Sequence, residues 1–413
     1  MNDTFLDRDN LRQNNFGALR LLLALLVLVS HTFAGYYGND DREPFYRLVG
    51  GQMDISAYAV NGFFAISGFL ITLSWLRTPR FKTFMMKRIL RIYPGFIVAS
   101  LVSLLIVAPL AGANGSIALK PLEIAKSFVR IVMLSGPKAE GAFGDQPIPV
   151  LNLSLWTIRY EFICYLMVPV LVLLLSRLKI SRIGITVVYL AMLVWHSMQG
   201  AYLVKTGALD LPIVGSLDVW PRFLCYFLSG MVLAFNSDRI PFRHWIAALC
   251  LAAMAVSACF PVARPGHPDA GGPLFIVTAF AGMYLIFYAA YQQTVKLSHI
   301  GEKVDLSYGV YLYAWPVTML CIVHLRHRVG PWGIIAIELP ITLALAAMSW
   351  FFVEKPFLVK KAKLVRKANA ETVTPAPAVP AGPLAFSSTV HLRAIEPMGE
   401  LVGSAAGDGG PKL

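Results

Sequence analysis

Phe16-Gly-Ala-Leu-Arg20-Leu-Leu-Leu-Ala-Leu-Leu-Val-Leu-Val-Ser-His31-Thr-Phe-Ala-Gly-Tyr-Tyr37 is an apolar run long enough to cross a bilayer, and it carries an arginine and a histidine inside it. A helix turns about 100° per residue, so a separation of eleven returns Arg20 and His31 to within roughly 20° of one face, ~16 Å apart along the axis. Leu21 to Ser30 between them are nearly all apolar, so the pair points to a bundle interior or a wet cavity and away from lipid. The competing reading has Arg20 snorkelling to one interface while His31 sits at the other. Each residue alone fits that reading. Together with the polar residues of later runs, they favour a functional face.

The rest of the chain has the same character. Its 413 residues are 57% hydrophobic and only 14% charged, with a mean hydropathy of +0.62, which excludes an ordinary soluble domain. The pattern predicts an all-α polytopic membrane bundle of about ten transmembrane helices: Phe16–Tyr37, Ile55–Trp75, Ile92–Leu110, Leu151–Leu175, Ile183–Leu203, Val219–Phe235, Trp245–Phe260, Pro273–Tyr291, Leu306–Leu325 and Trp332–Val353. The short amphipathic stretch Pro121 to Leu134 is expected to lie at the interface or re-enter.

Basic residues set the orientation. Arg77, Arg80, Lys82, Lys87, Arg88 and Arg91 form the densest cluster, followed by Arg177, Lys179 and Arg182, then Arg239 and Arg243, then Lys296 and Lys303. Positive-inside bias therefore predicts both termini in the cytoplasm and His31 toward the outer side, with Arg326-His-Arg328 as the contrary loop. The net charge of +13 follows from this bias and does not imply a nucleic-acid partner. The expected organisation is a cytoplasmic N-terminal segment (1–15), a membrane domain (16–357) and a basic, then disordered, cytoplasmic tail (358–413). Asp3, Asp7 and Asp9 offset Arg8 and Arg12, so no cleavable signal is expected. The five cysteines lack metal-type spacing, and no metal site is expected.

Six stretches, in order, carry a family resemblance: Arg20 with His31; Gly62-Phe-Phe-Ala-Ile-Ser-Gly68-Phe-Leu; Lys87-Arg88-Ile-Leu-Arg91-Ile-Tyr-Pro94; Leu155-Trp156-Thr-Ile-Arg-Tyr-Glu161; Ser307-Tyr308-Gly-Val-Tyr311-Leu-Tyr-Ala-Trp-Pro316; and Glu354-Lys-Pro356. Over most of its membrane region the chain resembles the acyltransferase family 3 membrane proteins of bacteria, which O-acylate extracytoplasmic sugars and polysaccharides. The resemblance implies a multi-pass protein of the bacterial cytoplasmic (inner) membrane. It implies an acyl-CoA donor, acetyl-CoA above all, and a glycan or glycolipid acceptor, with polysaccharide-assembly proteins as further partners. It also implies that Arg20 and His31 are essential to transfer, that Glu161 belongs to the core site, and that Lys87, Arg88 and Arg91 serve the donor. Two positions depart from the family's pattern. Many relatives have aspartate where this chain has Asn61, and histidine where it has Ala314.

The chemistry fits these residues. An alcohol is a weak nucleophile at neutral pH, so transfer to a sugar hydroxyl needs a base, and His31 is the candidate. Glu161 or Asp54 is the candidate acidic neighbour for the imidazolium that results, and an acyl-histidine intermediate stays open. Guanidinium forks at Arg88 and Arg91 suit phosphate oxygens, although basic inner loops are common in membrane proteins. Arg159 and Glu161 lie about 200° apart on their helix, so at least one needs a partner on another helix. A transporter or flippase for a lipid-linked sugar is the rival class, because intramembrane charge also marks substrate pathways.

Overall fold

The computed structural model describes residues 4–5, 14–112, 121–202, 209–211, 213–260, 273–292 and 294–359. The basic stretch from Lys360 and the tail beyond it lie outside the described residues. Ten long helical segments follow one another among the described residues: α1 (Phe16–Tyr37), α2 (Ile55–Arg77), α3 (Phe81–Leu110), α4 (Leu153–Arg177), α5 (Ser181–Tyr202), α6 (Trp220–Asn236), α7 (His244–Ala258), α8 (Leu274–Tyr291), α9 (Ser307–Leu325) and α10 (Pro331–Val359). Among the described residues, eight of these are long and apolar enough to cross a membrane. The other two expected spans are α6, of 17 residues, and α7, of 15. The only sheet among the described residues is a two-stranded ribbon, Asp210–Leu211 with Gly215–Ser216. The protein is an all-α polytopic membrane protein. Helices satisfy their own backbone groups, which lipid cannot do.

The third span differs from its sequence reading. The helix starts at Phe81, not near Ile92, so Pro94 lies inside it and Lys87, Arg88 and Arg91 are helical residues rather than a loop. Arg88 and Arg91 are three residues apart, so they share a face. The stretch Phe81 to Leu90 mixes charge with large apolar side chains, of which Phe84 and Met85 are buried, and that burial holds it in the helix. The amphipathic stretch is a helix of 12 residues, Pro121–Val132, with Leu122, Ile124, Phe128 and Val129 exposed, as suits an interface.

Close backbone contact joins α2 to α6. A Cβ at Gly68 would sit 2.0 Å from Phe227 O, and one at Gly230 would sit 2.0 Å from Ala65 O, so neither position admits a side chain. Phe64 and Phe223 stack at 4.3 Å in the same interface. Outward-facing Leu105, Ile106, Val170, Ile183, Val187 and Phe352 are exposed, as expected where lipid replaces water. Asp54 caps α2 by accepting from Ala57 N at 2.8 Å, and Gly38 closes α1 in the left-handed conformation.

The loop between α8 and α9 is pinned to the start of α1. Asn15 donates to Ala289 O, Gln292 O and Val295 O at 3.1 to 3.3 Å and accepts from Leu297 N at 3.0 Å. Gly301 has φ +79, and a Cβ there would lie 2.7 Å from Gly17 Cα. This loop leads to Asp305.

Candidate active site

A cavity of about 330 Å³ lies between α1, α2, α3, α4 and α9, with Trp350 and Leu358 of α10 on its wall. Its α2 lining extends from Ile71 to Val60, ~16 Å along the helix, about half of the length of α2. Arg20, Arg88, Arg91, Glu161, Glu302 and Asp305 supply its charge.

At the basic end, one carboxylate holds two arginines. Asp305 Oδ2 accepts from Arg20 Nη2 at 2.9 Å and from Arg91 Nη2 at 2.7 Å, while Oδ1 accepts from the Ser307 hydroxyl at 2.6 Å. Burial pushes the Asp305 carboxyl up. Arg20, Arg91 and the Ser307 donors outweigh this and hold it well below the usual carboxylate range. Arg91 Nη1 also reaches Glu354 Oε2 at 3.3 Å, and the Ser349 hydroxyl donates to Glu354 Oε1 at 3.1 Å. The turn Trp350–Glu354 is π-helical. Such bulges reorient one side chain without ending the helix, and here Glu354 faces Arg91. The motif at Glu354 thus closes a charge lattice with Arg20, Arg91 and Asp305.

Arg88 is different. It makes one long hydrogen bond, 3.4 Å to the Ser74 hydroxyl, and pairs with no carboxylate within 4 Å among the described residues. The rings of Phe84 and Tyr165 flank its guanidinium at 5.7 and 5.9 Å, and its Nε is buried without a partner. Lys87 does not line the cavity.

Deeper in, Glu161 Oε1 accepts from the Ser67 hydroxyl at 2.6 Å and the Tyr165 hydroxyl at 2.5 Å. Arg159 instead bonds Ser135, so the two charges of α4 do find separate partners. Thr157 and Tyr311 hydroxyls meet at 2.6 Å on the cavity wall.

His31 sits about one helical turn beyond Tyr311. Its ring packs edge-on against Trp315, centroids 5.3 Å apart, and the Trp315 indole donates to Val150 O at 2.7 Å. His31 is buried, its Nδ1 has no hydrogen-bond partner, and it is not part of the cavity lining. The carboxylate within electrostatic reach of His31 is Asp54. The neighbouring Ser30 hydroxyl donates to Asp54 at 3.4 Å. Glu161 belongs to the cavity instead. Arg20, Arg88, Arg91 and Glu161 are therefore brought together, and His31 stands apart at the other end of α1. Asn61 accepts from the buried Arg222 Nε at 2.9 Å.

Two acids escaped the sequence reading. Asp305 precedes α9 outside any apolar run, and only its position at the basic end hinted at a role. Glu338 was visible as a lone acid within the apolar run of α10, a pattern that by itself marks a site.

Comparison with known proteins gives the following. The acyltransferase domain family matches residues 13–351. An "O-acetyl transferase" of Shigella phage Sf6 is 27% identical over 353 residues, covering 84% of this chain and 97% of the relative. "Nodulation protein 10" of Rhizobium leguminosarum bv. viciae is 29% identical over 377 residues, covering 86% and 96%. No solved structure matches.

Proposed function

Because the chain belongs to the acyltransferase domain family, we propose that it is a membrane O-acyltransferase moving an acetyl group from acetyl-CoA in the cytoplasm to a hydroxyl of an extracytoplasmic or lipid-linked glycan. The observation that carries this reading is the long cavity with Arg88, which has no carboxylate within 4 Å among the described residues, in its lining together with Tyr311, one turn before the Trp315 that packs on His31. By the positive-inside rule its basic end faces the cytoplasm of a bacterial inner membrane, where an acyl-CoA is available.

The lining fits an anionic donor with a long arm. Arg88 offers a guanidinium with buried, unpartnered Nε and no carboxylate within 4 Å among the described residues, and Arg20 Nε is likewise unpartnered. Arg91 serves through the lattice that keeps this mouth in shape. As substrate, the donor supplies a thioester carbonyl whose C–S bond breaks as the ester C–O bond forms. His31 takes the hydroxyl proton of the acceptor at its imidazole and returns it to the departing sulfur. Asp54 stabilises the intervening imidazolium. Trp315 and the buried surroundings of His31 keep bulk water from competing for the acyl group.

Replacement His31→Ala tests the reading. Loss of a general base costs ~10²- to 10⁴-fold, so surface glycans from a deletion strain complemented with this variant should lack O-acetyl groups by mass spectrometry. Membrane abundance should match wild type, since alanine suits an apolar helix. Full O-acetylation by His31→Ala would overturn the base assignment.

A further inference from the structure

Glu338 lies in the middle of α10, and its side chain is 0% exposed. Its Oε1 meets the hydroxyl of Thr32 on α1, and its Oε2 is buried without a partner. No cation lies within 4 Å of it among the described residues. Thr32 Oγ1 is also 2.9 Å from Leu28 O, which can only accept. A hydroxyl has one hydrogen, so Thr32 satisfies both neighbours by donating to Leu28 O and accepting from the carboxyl. With no cation beside it, an ionised carboxylate here would be desolvated among hydroxyls alone, Thr32 and Thr318, which is the costlier arrangement. Glu338 is thus a hydrogen donor to Thr32.

Thr32 directly follows His31. Across the interface, Trp315 of α9 packs on His31, and Thr318, on the next turn of α9, lies beside the Glu338 carboxyl. Glu338 therefore touches both elements that fix the histidine. We propose that Glu338 is a positioning residue for His31, a hydrogen-donating clamp that ties the histidine-bearing turn of α1 to α10. This rests on His31 being the base.

The test uses the full chain in host membranes, with acetyl-CoA as the probe and the host's own glycan as acceptor. Glu338→Leu keeps the apolar volume and removes the donor. A small misplacement of a catalytic group costs up to ~10²-fold, so kcat should fall roughly 10- to 100-fold with the KM for acetyl-CoA unchanged. Glu338→Gln, whose amide N–H can donate to Thr32, should restore kcat. Thr32→Val should reproduce the loss with little change in shape, which reads the same contact even where Glu338→Leu fails to fold. Wild-type kcat in Thr32→Val while His31→Ala is inactive would overturn the clamp and leave the base intact. Glu338→Gln as inactive as Glu338→Leu would also overturn it, because a charged carboxylate would then be required. An active His31→Ala would instead defeat the reading beneath it.

Discussion

The two ends of α1 solve opposite problems with the same helix. At the Arg20 end, charge is plentiful and mostly neutralised, since Asp305 and Glu354 hold Arg20 and Arg91 while Arg88 stays unpaired. At the His31 end, one titratable ring sits among an indole, hydroxyls and a carboxyl without a counter-cation. The first arrangement leaves Arg88 as the guanidinium with no carboxylate within 4 Å among the described residues, which suits the proposed grip on an anion. At the second, the imidazole is buried with an unpartnered Nδ1, the state that the proposed proton transfer from a substrate hydroxyl would use. The cavity lies toward the Arg20 end of α1, and His31 is outside its lining.

The most forceful way to break this contrast is Asp305→Ala. Removing one partner of a buried pair costs ~3–5 kcal/mol. The side chains of Arg20 and Arg91 retain 29% and 20% exposure, so solvent screens part of this and about 2 kcal/mol is expected. Thermal unfolding in detergent should show the loss, and Arg91→Gln in the same background should recover part of it. Equal stability of Asp305→Ala and wild type would mean that the lattice is not what holds α1, α3 and α9 together.

Much of this was legible before any coordinates. The apolar periodicity announced a helical membrane bundle, and the eleven-residue spacing in α1 singled out Arg20 and His31 correctly as inward-facing. What spacing along one helix does not convey is what lies opposite. The sequence leaves Glu161 and Asp54 both open as the acidic neighbour of His31, and the fold brings Asp54, which caps α2, within electrostatic reach of it. The basic run at Lys82 to Arg91 read as a loop because charge usually ends a span, whereas buried Phe84 and Met85 carry the helix through it. Asp305 depends on a loop held by Asn15 and Gly301, contacts at least 274 residues apart in sequence that no local pattern encodes.

A smaller effect separates the arginines from each other. Arg88→Gln should raise the KM for acetyl-CoA roughly 10- to 100-fold, the ~1.5–3 kcal/mol of a hydrogen bond to a charged group, with little change in melting temperature. Arg91→Gln should do the reverse, lowering the melting temperature more than it raises KM, because its guanidinium is already engaged by Asp305 and Glu354. Identical profiles for the two variants would collapse the distinction between the free and the lattice-bound cation.

The smallest expected effect concerns pH. A carboxyl whose folded pKa lies below its unfolded value contributes stability that is fully present above the unfolded value and is lost only as pH falls through the folded one. Asp305 is such a group, held low by Arg20, Arg91 and the Ser307 donors against the opposing pull of burial. Its contribution should therefore be constant from pH 8 to pH 5, and in a Glu354→Gln background, which takes the lattice's second carboxyl out of the comparison, the melting-temperature gap opened by Asp305→Asn should not change over that window. A gap that narrows steadily between pH 8 and pH 5 would show that protons compete with the arginines for Asp305. The basic mouth would then be an acid-sensitive gate, and the permanent latch inferred from the two short contacts would be wrong.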